Sequence, residues 1–125
     1  MKISKSIFIS GIIVAIILLA IFAFNRTDNE PGKYDAFAKC LSDNEIKMYG
    51  AYWCPYCNDQ KEIFGNSWKY INYIECSLPN QAGQKLICQQ NNVKAYPTWE
   101  FQDGQKIEGK LSLEQLSQYG DCELK

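Results

Sequence analysis

The chain has 125 residues, a net charge of −1 and an apolar share of 46%, enough for one small domain and too little for two. Acid and base are mixed along it without a basic stripe, so nothing electrostatic points to nucleic acid. Histidine is absent, which excludes histidine general-base catalysis and metal sites with imidazole ligands.

In chain order, residues 1–24 read as a segment outside the globular fold. Lys2 and Lys5 precede Ile7 to Phe24, an uncharged run with a single hydroxyl, Ser10. As a helix this run would span about 27 Å, close to the hydrocarbon core of a bilayer. A cleaved signal peptide is the rival reading, but Phe22-Ala23-Phe24-Asn25-Arg26 is a poor cleavage site. The expectation is a single uncleaved signal-anchor helix with a cytoplasmic N-terminus and an extracytoplasmic domain, in the periplasm or at the cell exterior. Residues 25–33, polar and containing Pro31-Gly32, read as a linker, and 34–125 as the domain.

Within the domain, Tyr34 to Leu41 has helical spacing, with Tyr34, Phe37, Ala38 and Leu41 on one face, and Ser42-Asp43-Asn44 ends it. Ile46 to Tyr52 predicts a strand buried on both faces. Pro55 suits the first turn of a helix running to Phe64, with Gly65 as its stop. Tyr70 to Cys76 predicts a second strand, and Gln81 to Asn91 a helix weakened by Gly83. Pro97 to Phe101 and Lys106 to Glu108 flank Asp103-Gly104 and predict a hairpin. Ser112 is the expected N-cap of a last helix, with Glu114 in its first turn and Gly120 at its end. A strand–helix–strand unit followed by a helix and a hairpin implies an α/β fold, a mixed central sheet flanked by helices.

Six cysteines in so small a domain suit an oxidising compartment, where they pair, although spacing alone does not choose the pairs. Cys54-Pro55-Tyr56-Cys57 falls where a strand ends and a helix begins. At the helix N-cap, free N–H groups and the positive dipole end stabilise a thiolate. Cys54 is thus placed to attack, and Cys57, one turn inside, to resolve the mixed disulfide. A tetrathiolate zinc site would need Cys76 and Cys88, whose spacing is not that of a zinc knuckle. A purely structural Cys54–Cys57 staple would close too small a loop to add much stability. The aromatics Tyr52, Trp53, Tyr96 and Trp99 flank the motifs and serve either core and rim packing or an apolar substrate groove.

The segments KMYGAYWCPYCNDQKEIFG (47–65), YIEC (73–76), AYPTWEF (95–101) and GKLSLEQL (109–116) resemble the thioredoxin superfamily. More closely, they resemble the thioredoxin-like domain that accompanies bacterial homologues of vitamin K epoxide reductase. The resemblance implies a thioredoxin-like fold and thiol–disulfide exchange without a dissociable cofactor. It implies client proteins with cysteines, and a quinone-linked, vitamin K epoxide reductase-like membrane enzyme as partner. Residue by residue, it implies Cys54 and Cys57 as the redox pair and Tyr96-Pro97 as a cis-proline element that binds an incoming chain, with Trp53 and Tyr56 beside it. The bland alternative for Pro97 is the first residue of a strand. The resemblance further implies a structural Cys76–Cys88 disulfide. Cys40 and Cys122, near opposite ends of the domain, are expected to lock its termini together; the alternative is free or relay thiols.

The chain departs from the family pattern at two positions. Tyr56 stands where a thiolate-stabilising histidine is often found, which predicts a less acidic Cys54. Met48 stands where many thioredoxins carry a buried acid, and Lys47 and Glu75 are expected on solvated faces. The leading reading is an oxidase of client thiols. A reductase of extracytoplasmic disulfides and a non-catalytic peptide-binding module are the alternatives.

Overall fold

The computed structural model describes residues 5–24 and 30–125, with side chains described for 9–23 and 30–125. Lys2 and the linker residues 25–29, Arg26 among them, lie outside the described residues. The chain divides into two units, Met1–Glu30 and Pro31–Lys125.

The first unit holds helix α1, Lys5–Phe24. Its side chains from Ile9 to Phe22 are apolar apart from Ser10, and the large ones stand 51% to 68% exposed. Among the described residues no helix is long and apolar enough to cross a membrane.

The second unit is built on a four-stranded sheet of order β2-β1-β3-β4, with β1 Lys47–Gly50, β2 Asn72–Glu75, β3 Thr98–Glu100 and β4 Lys106–Glu108. β1 pairs parallel to β2 and antiparallel to β3, and β3 pairs antiparallel to β4. The helices are α2 Asp35–Asp43, α3 Pro55–Phe64, α4 Leu86–Gln90 and α5 Leu113–Gly120. Period-two alternation splits the core. Met48 and Trp99, cross-strand neighbours, pack with Phe37, Leu41, Phe64 and Leu116 from α2, α3 and α5. Tyr49 faces the other way and joins Cys76, Cys88 and Val93 in a smaller cluster.

The expected elements are present, with shifted edges. The end of the expected linker is tied to the domain: Gly32 N–H donates to Asp35 Oδ1 at 3.1 Å, and two residues on Tyr34 N–H donates to Ser67 Oγ at 2.9 Å. The first strand stops at Gly50 rather than Tyr52, because the chain turns there and Cys54 N–H donates to the Ala51 carbonyl at 3.0 Å. Gly65 ends α3 with a positive φ of 53°, but a 3-10 turn, Gly65–Tyr70, continues from it and buries Ser67. The second strand begins at Asn72, later than Tyr70. The helix expected over 81–91 shrinks to Leu86–Gln90. Gly83 adopts φ +140° and Ser77 bridges Gln84, so the chain is still folding back on itself there. Ser112 caps α5 in a reciprocal pair with Gln115, but Asp121, not Gly120, takes the left-handed turn. Gly120 is small for a different reason: a Cβ there would lie 2.7 Å from Leu41 and 2.8 Å from Ile46.

A buried amide holds α3 to the strand region. Gln60 is fully buried; its Oε1 accepts from Trp99 Nε1 at 3.2 Å and Leu111 N–H at 2.8 Å, and its Nε2 donates to the Leu111 carbonyl at 3.0 Å. Gln60→Leu strands three polar groups, and each costs about 1–3 kcal/mol when left unpaired. Urea titration of that variant should show a loss of at least about 3 kcal/mol; a loss under about 1 kcal/mol would mean water reaches those groups.

Candidate functional site

Cys54 sits at the N-cap of α3, with Pro55 in the first turn and an extended backbone that turns its Sγ back over the helix end. Proline fits there because its missing N–H has no partner in a helix start. The Cys57 N–H donates to Cys54 Sγ at 3.2 Å, and the Cys54 thiol donates to the Tyr96 carbonyl at 3.6 Å. Both cysteines are free thiols and both are buried. Cys54 Sγ thereby satisfies one of the amides that a helix start leaves without an intrahelical partner.

Cys57 lies deeper and is fully buried. Burial, followed by its hydrogen bond with Cys54, pushes its thiol from 9.0 to about 12. Gly50 makes room for it: a Cβ there would lie 3.0 Å from Cys57 Sγ and 2.8 Å from Tyr73 Cε2. The ring of Tyr73 therefore shares that space, under Lys61 Nζ at 4.2 Å. Tyr73 donates to Glu75 Oε2 at 2.7 Å. Burial, then the Glu75 hydrogen bond, raises its phenol well above the ordinary range. Glu75 is half-buried where a solvated face was expected, and it also accepts from Ser77 N–H at 2.8 Å. Lys47 is half-exposed and pairs with Glu100 at 3.6 Å. Burial works to raise the Glu100 carboxyl, but Lys106, Tyr49 and Lys47 outweigh it and hold it low.

Tyr96-Pro97 is a cis peptide, and its Tyr96 carbonyl faces the Cys54 thiol. Trp53 packs edge-on against Tyr96, with ring centroids 6.0 Å apart. Tyr52, Trp53 and Tyr56 are exposed, whereas Trp99 is a core residue. The structure thus gathers Cys54, Cys57, Trp53, Tyr96 and Pro97 at one place. Tyr56 points to solvent beside them, 63% exposed. Gly50, Gln60 and Tyr73 lie inside the segments that carry the resemblance, but the sequence reading assigns them no role. The helical spacing of Cys57, Gln60 and Phe64 is the one signal that could have flagged Gln60, as a polar residue on a buried face.

The other four cysteines are bonded, Cys40 to Cys122 and Cys76 to Cys88. The second bond withdraws Cys76 and Cys88 from any tetrathiolate zinc site. Among the described residues no cluster of three or more His, Cys, Asp or Glu could hold a metal ion.

By class, then, this is a dithiol at a helix N-terminus on a mixed sheet flanked by helices, an arrangement compatible with a thioredoxin-like α/β fold. Over 88 aligned residues, 66% of the chain, it is 38% identical to thiol-disulfide oxidoreductase LTO1 of Arabidopsis thaliana, of which it covers 23%. Over 65 residues, 52% of the chain, it is 34% identical to thioredoxin 3 of Plasmodium falciparum (isolate 3D7), of which it covers 36%. The chain spans well under half the length of these curated relatives. No protein-family model matches it. The two relatives support a thioredoxin-like superfamily and an oxidoreductase activity.

Proposed function

We propose that this chain is a membrane-anchored, extracytoplasmic thiol–disulfide oxidoreductase that oxidises client protein thiols through Cys54 and Cys57. A vitamin K epoxide reductase-like membrane enzyme re-oxidises it. The observation that carries the reading is the sulfur of Cys54, held between the Cys57 N–H and the Tyr96 carbonyl. The uncharged sequence run Ile7 to Phe24 is what supports the anchor.

The exchange balances without a cofactor. A client thiolate attacks Cys54 Sγ of the Cys54–Cys57 disulfide, and Cys57 leaves as a thiolate and takes a proton. A second client thiolate then attacks the client sulfur of the mixed disulfide and releases Cys54 as a thiolate. Two electrons have passed from client to dithiol, and the membrane partner removes them. The carbonyl of Tyr96 is placed to accept a hydrogen bond from the client backbone, as an added strand would offer.

A reductase running the same steps backwards is the second reading. It is favoured by Tyr56, whose exposed phenol brings no cationic group beside Cys54, and by the Cys57 thiol raised to about 12. The midpoint potential of the full chain against glutathione decides. A value above roughly −190 mV supports disulfide donation, and one below about −240 mV supports the reductase. A pair that shows no two-electron transition would leave only a peptide-binding role.

A further inference from the structure

Three hydrogen bonds join one loop to the aromatics around Cys54. The Trp53 indole N–H donates to Ser77 Oγ at 2.9 Å. The Gln81 backbone N–H donates to the Tyr52 hydroxyl at 3.2 Å. Gln84 Nε2 donates to the Tyr96 hydroxyl at 2.7 Å and to the Val93 carbonyl at 2.9 Å. Each aromatic gives its polar atom to the loop, and Tyr52 and Trp53 keep their rings exposed at 47% and 43%.

The loop is built to hold its shape. The Cys76–Cys88 disulfide closes it. Inside, Lys85 N–H donates to the Cys76 carbonyl at 2.7 Å and Leu78 N–H to the Gly83 carbonyl at 2.8 Å. The φ of +140° at Gly83 is open to glycine and strained for other residues. Ser77 uses its hydroxyl fully, accepting from Trp53 and donating to the Leu78 carbonyl at 2.9 Å. The turn Pro79–Gln81 buries no residue, so this part of the loop adds nothing to the core. Its exposed side chains include Leu78, Leu86 and Ile87, and across 77–87 Lys85 carries the single charge.

We propose that loop 77–87 is a positioning element for client recognition: through Ser77, Gln81 and Gln84 it holds Trp53, Tyr52 and Tyr96 as the wall beside Cys54 that takes apolar side chains flanking a client cysteine. The inference rests on the thiol-exchange reading above. A charged flank loses water against this wall and finds almost no counter-charge, whereas an apolar flank gains by burial.

The test uses the full chain, returned to its dithiol form after each turnover by excess reduced glutathione, which leaves as glutathione disulfide, and three substrates. Two are peptides whose cysteine is linked to glutathione, one flanked by leucines and one by glutamates. The third is 2-hydroxyethyl disulfide, too small to reach the wall. Wild type should turn over the leucine peptide with the lower KM. Ser77→Ala and Gln84→Ala should each raise that KM by about three- to tenfold, the worth of one lost hydrogen bond. Their kcat, their rate on 2-hydroxyethyl disulfide and the Cys54–Cys57 midpoint potential should stay at wild-type values. Ser77→Thr, which keeps the hydroxyl, should restore the KM. Equal KM for the two peptides in wild type, an unmoved KM in both variants, or an equal loss on the small disulfide overturns the inference. Wild type inactive on 2-hydroxyethyl disulfide overturns the thiol-exchange reading itself, and the role of the loop with it.

Discussion

Replacing Cys40 and Cys122 together by alanine should lower the stability of the domain by roughly 4.5 kcal/mol, against roughly 3 kcal/mol for Cys76 and Cys88. The order follows from the chain each bond closes, with sequence separations of 82 and 12. A longer closed loop removes more freedom from the unfolded chain. The Cys40–Cys122 bond also has native-state company. Asn44 Nδ2 donates to the Gly120 carbonyl at 2.9 Å and to Cys122 Sγ at 3.5 Å, which seats the end of α5 on the end of α2. For a domain whose total stability is of the order of 5–15 kcal/mol, such a loss is a large fraction. Urea unfolding of the two double variants, with Cys54 and Cys57 kept reduced, gives both numbers. A larger loss for Cys76 and Cys88 would show that native contacts, not chain entropy, set the effect.

Much of this architecture was legible because local chemistry and tertiary packing agree. Pro55 behind Cys54, Ser112 ahead of α5, and Asp103-Gly104 between two short strands each mark a boundary by a backbone requirement. The packing then meets that requirement. The misread edges are where a distant group wins. Gln81 to Lys85 has helix-forming residues on either side of Gly83, but the Ser77–Gln84 bridge and the bond from Lys85 N–H to the Cys76 carbonyl hold it as a folded-back loop. The turn after Gly65 exists because Trp68 packs on Phe64, with ring centroids 5.9 Å apart, and Ser67 meets Tyr34 from the other end of the sequence. At the site, the C-x-x-C spacing pointed to Cys54 and Cys57. The space that Gly50 leaves beside Cys57 and Tyr73 had no local signature, since it depends on the parallel register that sets Gly50 beside Glu75 and Met48 beside Tyr73.

Cys54→Ser should reduce turnover of any disulfide substrate by about three orders of magnitude or more, because an alcohol at the helix end is not ionised and does not attack sulfur. Cys57→Ser should behave differently. Its Cys54 keeps the α3 N-terminus and still forms the mixed disulfide, but nothing resolves it, so client accumulates covalently on Cys54. Non-reducing electrophoresis after mixing with a disulfide-bonded client separates the two variants. Adduct on Cys54→Ser through Cys57 would reverse the assigned roles, although Cys57 is fully buried. The same substitution reads out the burial of Cys57 through pH. Its thiol is raised from 9.0 to about 12, so the folded state prefers the protonated form more than the unfolded chain does. That preference contributes stability in full below pH 9 and is lost as pH rises through 12. The tyrosines with raised phenols share the sign, but they begin only above their ordinary value of 10.0. Between pH 9 and pH 10, therefore, Cys57 is the titrating group that separates the two proteins. Reduced wild type should lose stability there faster than reduced Cys57→Ser, by urea midpoints taken across that window. Parallel curves would mean that Cys57 ionises as freely in the folded domain as in the unfolded chain, and that water reaches it from the Cys54 side.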